Sequence, residues 1–198
     1  IAHPTHEAGD DALVQSIDLI KLVQPFLVCF RAQGIGSTLA GDRFDGHDFL
    51  DRALEAGAAL LVVDRVPEPG IVAAAGKTAI LQVGDVMEAL HRLAAAYLRQ
   101  FTLHKVAVTG STGKTSTKEM LYHILSERFR TVRNLGNYNN LIGLPLSVFA
   151  VDETTEAAVF EMGMDRLGEI RTMASIVRPT VAVITNVGHS HLERLGSR

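Results

Sequence analysis

The sequence predicts an α/β protein. A small N-terminal α/β domain over residues 1–102 precedes a phosphate-loop domain over residues 103–198, built on a mostly parallel, doubly wound sheet. Three observations carry that prediction. Short apolar, β-branched runs alternate with segments of helical period along most of the chain. One such run, Val106-Ala107-Val108-Thr109, passes through the glycine-bearing loop Gly110-Ser111-Thr112-Gly113 straight into a helix opening on Lys114-Thr115-Ser116. Gly110, Glu161 and Asn186 each stand at or just beyond the end of a different predicted strand, where a parallel sheet gathers its ligand-binding loops.

In chain order, residues 48–56 read as a helix with Phe49, Leu50, Ala53 and Leu54 on one face. Residues 58–63 form an apolar strand, and Pro67, Pro69 and Gly70 mark a turn. A second short strand covers 79–83. A long helix covers 85–100, with Met87, Leu90, Leu93, Ala94 and Leu98 recurring. The stretch near 101–104 is the natural junction between the two domains. Residues 105–109 are the strand of a two-sided sheet, and 115–128 an amphipathic helix carrying Met120, Leu121, Ile124 and Leu125. A brief strand at 131–132, strands at 157–161 and 181–185, and a helix at 167–177 complete the alternation. No internal repeat is present.

Composition narrows the function. At 198 residues and 47% hydrophobic content, the chain holds enough apolar mass for a sizeable core. Its 19 basic and 22 acidic residues give a net charge of -3 with no basic block, which argues against general nucleic-acid binding. The single cysteine, Cys29, admits no intramolecular disulfide and fits a reducing cytosol, hence a cytoplasmic protein. The apolar run 19–30 is too short to span a membrane and is broken by Lys21, Gln24 and Pro25. No secretory leader opens the sequence, so neither secretion nor membrane insertion is expected.

The loop 110–116 carries the chemistry. Backbone N–H groups and a helix N-terminus aimed at one point favour a phosphate, and the glycines leave room for its close approach. Lys114 adds a mobile positive charge, and the Thr115 hydroxyl is an oxygen ligand suited to magnesium. Gly110, Ser111, Thr112, Gly113, Lys114, Thr115 and Ser116 are therefore the candidate nucleotide-binding residues. The common phosphate-loop pattern has glycine where this chain has Val108, so the loop is a shortened variant.

Two further segments gather polar groups. Glu161 ends an apolar strand, where its carboxylate either binds a magnesium ion shared with nucleotide phosphates or caps the following helix. The residues from Leu135 to Pro145 include Asn137, Asn139 and Asn140, side chains that donate and accept at once but also form ordinary turns. His189 and His191 follow another strand, without the cysteine cluster or spacing of a zinc site.

Taken together, these stretches resemble a family. The segment from Thr109 to Met120, the segment Gly136-Asn137-Tyr138-Asn139-Asn140-Leu141-Ile142-Gly143-Leu144-Pro145-Leu146, then Glu161-Met162-Gly163-Met164, Gly168-Glu169-Ile170, and the segment from Thr185 to Glu193 are similar to the Mur ligases of peptidoglycan synthesis. Lys118-Glu119-Met120 behind the loop favours the branch that joins D-alanyl-D-alanine to UDP-N-acetylmuramoyl-tripeptide over the branch adding the third residue. Residues 41–49 resemble the family's UDP-sugar-binding domain. The resemblance implies an ATP-dependent ligase acting through an acyl phosphate, with ATP and Mg2+ bound. By match, Lys114, Glu161 and His191 would be catalytic, and Thr115, Glu161 and His191 would hold the metal. Asp45, Gly46, His47, Asn137, Asn139 and Asn140 would meet substrate.

The chain departs from the family pattern over residues 19–38. The arginine expected for the UDP moiety has no counterpart after Ser16-Ile17-Asp18. The resemblance also implies, beyond Arg198, a carbamylated lysine, more strands and a further domain, leaving the sheet over 103–198 incomplete. A competing reading is a ligase-derived module that binds nucleotide without catalysis. A phosphate-loop kinase or GTPase would need a guanine motif or a full-length loop, and neither occurs. Folylpolyglutamate synthetase shares the loop chemistry but not Asp45-Gly46-His47-Asp48-Phe49. The expectation is that residues 1–198 alone do not ligate; phosphate release dependent on D-alanyl-D-alanine from that purified chain would contradict it.

Overall fold

The computed structural model describes residues 46–188. Cys29, the apolar run 19–30, the divergent stretch 19–38, Asp45, His189 and His191 lie outside the described residues. The chain divides into two compact units, Ile1–Val86 and Met87–Arg198.

In the first unit, a 3-10 turn at Gly46–Phe49 leads into helix α1, Leu50–Glu55. Gly57, at φ 77°, closes that helix in the left-handed region, and the Ala58 N–H returns to Ala53 O at 3.0 Å. Strand β1, Leu60–Val63, then pairs in parallel with strand β2, Ala79–Gln82, in the register Leu60↔Ala79 to Val63↔Gln82. Leu61 and Val63 alternate inward onto Leu50, Ala53 and Ala58, with Leu54, Ile71 and Ile80 packed around them. The turn expected at Pro67–Gly70 is instead the start of helix α2, Pro69–Ala74. Pro69 sits where a helix needs no N–H donor and its fixed φ is already helical, so the residue read as a turn marker is a helix starter.

The second unit opens with helix α3, Val86–Leu98, and continues through β3 (His104–Thr109), α4 (Lys114–Ser126), β4 (Thr131–Arg133), α5 (Gly143–Val148), β5 (Ala157–Glu161), α6 (Glu169–Val177) and β6 (Val181–Ile184). All of helix α3 but its first residue falls in the second compact unit. The Tyr97 hydroxyl donates to Val151 O at 2.7 Å, and its ring meets Phe101 and Phe149 edge-on at 5.1 and 5.4 Å.

All pairings in this sheet are parallel, and the strand order is β4-β5-β3-β6. From β3 the chain first builds β4 and β5 on one side, then crosses to lay β6 on the other. The order therefore reverses at β3, and the crevice beyond its carboxyl end is where such a sheet holds a ligand. β5, flanked on both sides, is buried at every residue. Val106, Val108 and Val159 form the core beneath α4, joined by Leu121, Leu125 and Val183. The predicted apolar stripe of α4 is only half right, because Met120 and Ile124 are each 64% exposed. The stripe that meets the sheet runs through Lys118, Leu121 and Leu125, three and four residues apart. β6 pairs on one side only among the described residues, and Val181 and Ile184 are exposed on it.

The Tyr97–Val151 bond yields a double prediction. Tyr97→Phe leaves a buried carbonyl without its donor and should cost about 1–2 kcal/mol in denaturant unfolding. Burial, and then the charge of Asp152, raise the Tyr97 hydroxyl above its usual range. A raised folded-state value means the stabilisation is full below about pH 10 and is lost as pH climbs through that value. The alkaline limb of stability should therefore be shallower in Tyr97→Phe than in the parent chain.

Candidate functional site

At the carboxyl end of β3 the chain turns through residues 110–113 and enters α4. Gly110 has φ 137°, and a Cβ there would overlap the Thr185 hydroxyl and lie 3.0 Å from both the N and the O of Asn186. Gly113, at φ 78°, occupies the N-cap position of α4. Both glycines are thus demanded by the backbone, the first by close approach as well.

The segment after β6 holds this loop in shape. Ser111 N–H donates to Asn186 O at 3.1 Å and Thr112 N–H to Asn186 Oδ1 at 2.9 Å. Asn186 Nδ2 returns a bond to Thr112 Oγ1 at 2.9 Å, and the Thr185 hydroxyl donates to Thr112 O at 2.6 Å. Gly188 N–H donates to Ser111 Oγ at 2.8 Å. Two of the N–H groups expected to face phosphate, those of Ser111 and Thr112, are therefore engaged inside the protein. The donors left to an anion are those of the first helical turn, from Gly113 to Ser116, where the helix dipole also points. Lys114 Nζ donates to Gly110 O at 2.6 Å and to Ser111 O at 3.3 Å, folding its charge over the loop. Thr115 and Ser116 are exposed beside it.

Glu161 ends β5 directly opposite Val108 of β3. It is 2% exposed. Its backbone is held by Asn134, whose Oδ1 accepts Glu161 N–H at 2.9 Å while its Nδ2 donates to Glu161 O at 3.0 Å. Its carboxylate Oε1 accepts from Asn139 Nδ2 at 2.8 Å. Oε2 is buried without a hydrogen-bond partner. Neither oxygen of Glu161 takes an N–H of the following helix, so the helix-capping alternative is closed; Glu169 Oε2 accepts the N–H groups of Asp165 and Arg166 in the turn ahead of that helix, at 2.6 and 3.1 Å.

The three candidate asparagines separate. Asn139 reaches Glu161 and is partly buried. Asn140 Oδ1 accepts the N–H groups of Ile142 and Gly143, at 3.1 and 2.8 Å, and so starts α5, a helix the sequence reading missed. Pro145 lies in that helix's first turn, where a missing N–H costs nothing, so a Gly-Pro stretch that resembles a loop folds as a helix. Asn137 is exposed, its carbonyl accepting Asn139 N–H at 2.7 Å.

Sequence reasoning also missed Lys118 and Asn134 as members of this site. Lys118 is 1% exposed, and its Nζ donates to Asn134 O at 3.1 Å and lies 3.1 Å from Glu119 Oε1 and 3.7 Å from Glu161 Oε2. The signal was available: a lysine in line with Leu121 and Leu125 on the apolar stripe of a helix requires a buried partner. For Asn134, at the end of a short strand, no signal stands out.

Gly46 and His47 lie in the first unit. His47 Nε2 is 3.2 Å from Arg65 O and 3.7 Å from Asp64 Oδ1, just beyond the carboxyl end of β1.

Among the described residues no group of three or more His, Cys, Asp or Glu is placed to hold a metal. One orphaned carboxylate oxygen and one exposed hydroxyl, Thr115, make a sparse donor set. That set fits magnesium, which keeps several waters and shares phosphate oxygens, and it does not fit a structural zinc.

Known proteins are similar to this chain in sequence and fold. Residues 108–198 match the Mur ligase middle domain. The UDP-N-acetylmuramoyl-tripeptide–D-alanyl-D-alanine ligase of Bacillus subtilis is 47% identical over 161 residues, covering 81% of this chain and 34% of the relative. The Escherichia coli enzyme of that name is 40% identical over 162 residues, covering 80% and 34%. Among solved structures, MurF from Acinetobacter baumannii aligns with a TM-score of 0.72 at 37% identity, covering 79% of this chain and 33% of that one. MurF ligase from Thermotoga maritima, in complex with ADP, aligns with a TM-score of 0.68 at 39% identity, covering 77% and 34%. The chain spans about a third of the length of these relatives.

If Asn186 shapes the loop as described, Asn186→Ala should cost about 1–2 kcal/mol in unfolding and speed exchange of the Ser111 and Thr112 amides by about tenfold in NMR. Unchanged exchange at those two amides would refute the clamp.

Proposed function

This chain belongs to the Mur ligase family, and from that premise we propose that it is part of an ATP-dependent amide-bond ligase that adds D-alanyl-D-alanine to UDP-N-acetylmuramoyl-tripeptide. The observation that carries the reading is the strand register that sets Glu161, the buried carboxylate ending β5, opposite Val108, two residues before the loop after β3 begins. A loop built to hold phosphate and a carboxylate with a free oxygen beside it suit phosphoryl transfer.

In the proposed reaction the substrate carboxylate attacks the γ-phosphorus and ADP leaves. The amine of D-alanyl-D-alanine then attacks the acyl carbon, forming the amide and releasing phosphate. The N–H groups of Gly113, Lys114, Thr115 and Ser116 bind the nucleotide phosphates. Gly110, Ser111 and Thr112 give the loop its shape. Lys114 turns from the loop carbonyls to the phosphates and offsets the charge that develops as the γ-phosphoryl moves. Thr115 and Glu161, with His191 by family match, hold Mg2+, which neutralises phosphate charge when bound. Asn139 fixes the Glu161 carboxylate; Asn137 and Asn140, by family match, belong to the segment that lines the cleft. Asp45, Gly46 and His47 belong to the sugar-nucleotide end, the role proposed for residues 1–102, with residues 103–198 as the ATP-binding domain.

No helix among the described residues is long and apolar enough to cross a membrane. A cytoplasmic setting follows from the proposed use of ATP and a nucleotide sugar.

The test is ADP formation dependent on D-alanyl-D-alanine in the full-length protein that carries this chain. Lys114→Ala and Glu161→Ala should each lower kcat by about 100-fold or more, because both side chains act on charge that grows in the transition state. Wild-type turnover in either variant would remove that residue from the proposed site.

A further inference from the structure

A buried lysine beside a buried glutamate invites the description of a structural ion pair, but the geometry is unusual for one. Lys118 Nζ spends its hydrogen bonds elsewhere: it donates to Asn134 O at 3.1 Å and meets Glu119 Oε1 at 3.1 Å. Its distance to Glu161 Oε2 is 3.7 Å, too long for a hydrogen bond though close enough for strong attraction in a dry site. Glu161 Oε1 is taken by Asn139, and Oε2 keeps its lone pairs. Lys118 thus supplies charge to the carboxylate without occupying the oxygen a cation would need. Glu119 is in turn held by Arg133, whose Nε lies 2.9 Å from Glu119 Oε2, so the ammonium is fixed from both sides.

We propose that Lys118 is a positioning residue for magnesium-dependent nucleotide binding: it anchors the Glu161 carboxylate at the end of β5 while leaving Oε2 free for the cation. The inference rests on the reading of Glu161 as a magnesium ligand. It adds that an ammonium in this place, and no hydrogen-bonding group, is what keeps the ligand available. Partners of metal ligands that act in this way typically change metal affinity 10–100-fold when removed.

The experiment measures ADP affinity of the full-length protein that carries this chain by calorimetry, once with Mg2+ and once in EDTA, and takes the ratio as the coupling. Glu161→Gln sets the floor. Lys118→Met should lower the coupling about tenfold or to that floor, and leave the affinity in EDTA unchanged, because the loop's own donors are untouched. Lys118→Arg keeps the charge but brings a donor fork able to bond Oε2 directly, so it too should lose coupling. The neutral pair Lys118→Met with Glu161→Gln strands no charge and should match Glu161→Gln alone, because Lys118 acts only through that carboxylate. Circular dichroism checks that each variant folds; should the single Lys118 variants fail to fold, the neutral pair decides, and any departure from the Glu161→Gln floor overturns the proposal. Wild-type coupling in a folded Lys118 variant overturns it as well. A parent chain with no Mg2+ effect, or Glu161→Gln with full coupling, would instead overturn the reading of Glu161 on which it stands.

Discussion

A carboxylate buried at the end of a fully buried strand is the constraint around which the second unit is organised. Ionised groups do not leave water without compensation, and Glu161 has almost no exposure. Its carboxylate is compensated by Lys118 on α4 and by Asn139 in the asparagine loop, while Asn134 after β4 holds the backbone of the same residue. Each tie fixes a different element against β5. The helix following the phosphate loop, the edge strand and the asparagine-rich loop are thereby locked to the strand adjoining β3. Replacing such a node by apolar residues is often neutral for stability, so its presence here points to a task for the carboxylate.

The same end of the sheet is held from the other side by a different device. Asn186 and Thr185 fasten the loop after β3 through backbone groups, using neutral hydrogen bonds in an exposed setting. The loop is therefore shaped by β6 and the carboxylate by β5, and β3, between them, carries both in register. That division explains why the loop can lack the usual first glycine. Val108 is fully buried in the core beneath α4, and the loop's shape is set by contacts that begin only at Gly110.

Much of this was legible in the residues. Period-2 and helical runs located the strands and the long helices, because strand and helix burial patterns differ in period. Gly110 to Ser116 announced a phosphate loop, and Glu161 a polar end to an apolar strand. What was not legible has physical causes. Pro69 and Pro145 look like breakers, yet both fall in first turns where no donor is required. Met120 and Ile124 look like core on periodicity alone, and only the position of the sheet assigns burial to Lys118 in their place. The N–H groups of Ser111 and Thr112 could not be subtracted from the phosphate cradle without knowing that Asn186 crosses beside them. Long-range pairings of that kind, 74 residues apart in sequence, leave no local pattern to read.

We propose that the carboxyl end of this sheet is a site for a magnesium nucleotide, assembled from the loop after β3, the asparagine loop and the end of β5. Hydrogen exchange of the chain, with and without ADP and Mg2+, tests that claim most directly. Added protection is expected in residues 113–118, 134–140 and 161–163, with the strands of the first unit unchanged. Protection confined to the first unit, or none at those three segments at saturating nucleotide, would contradict it.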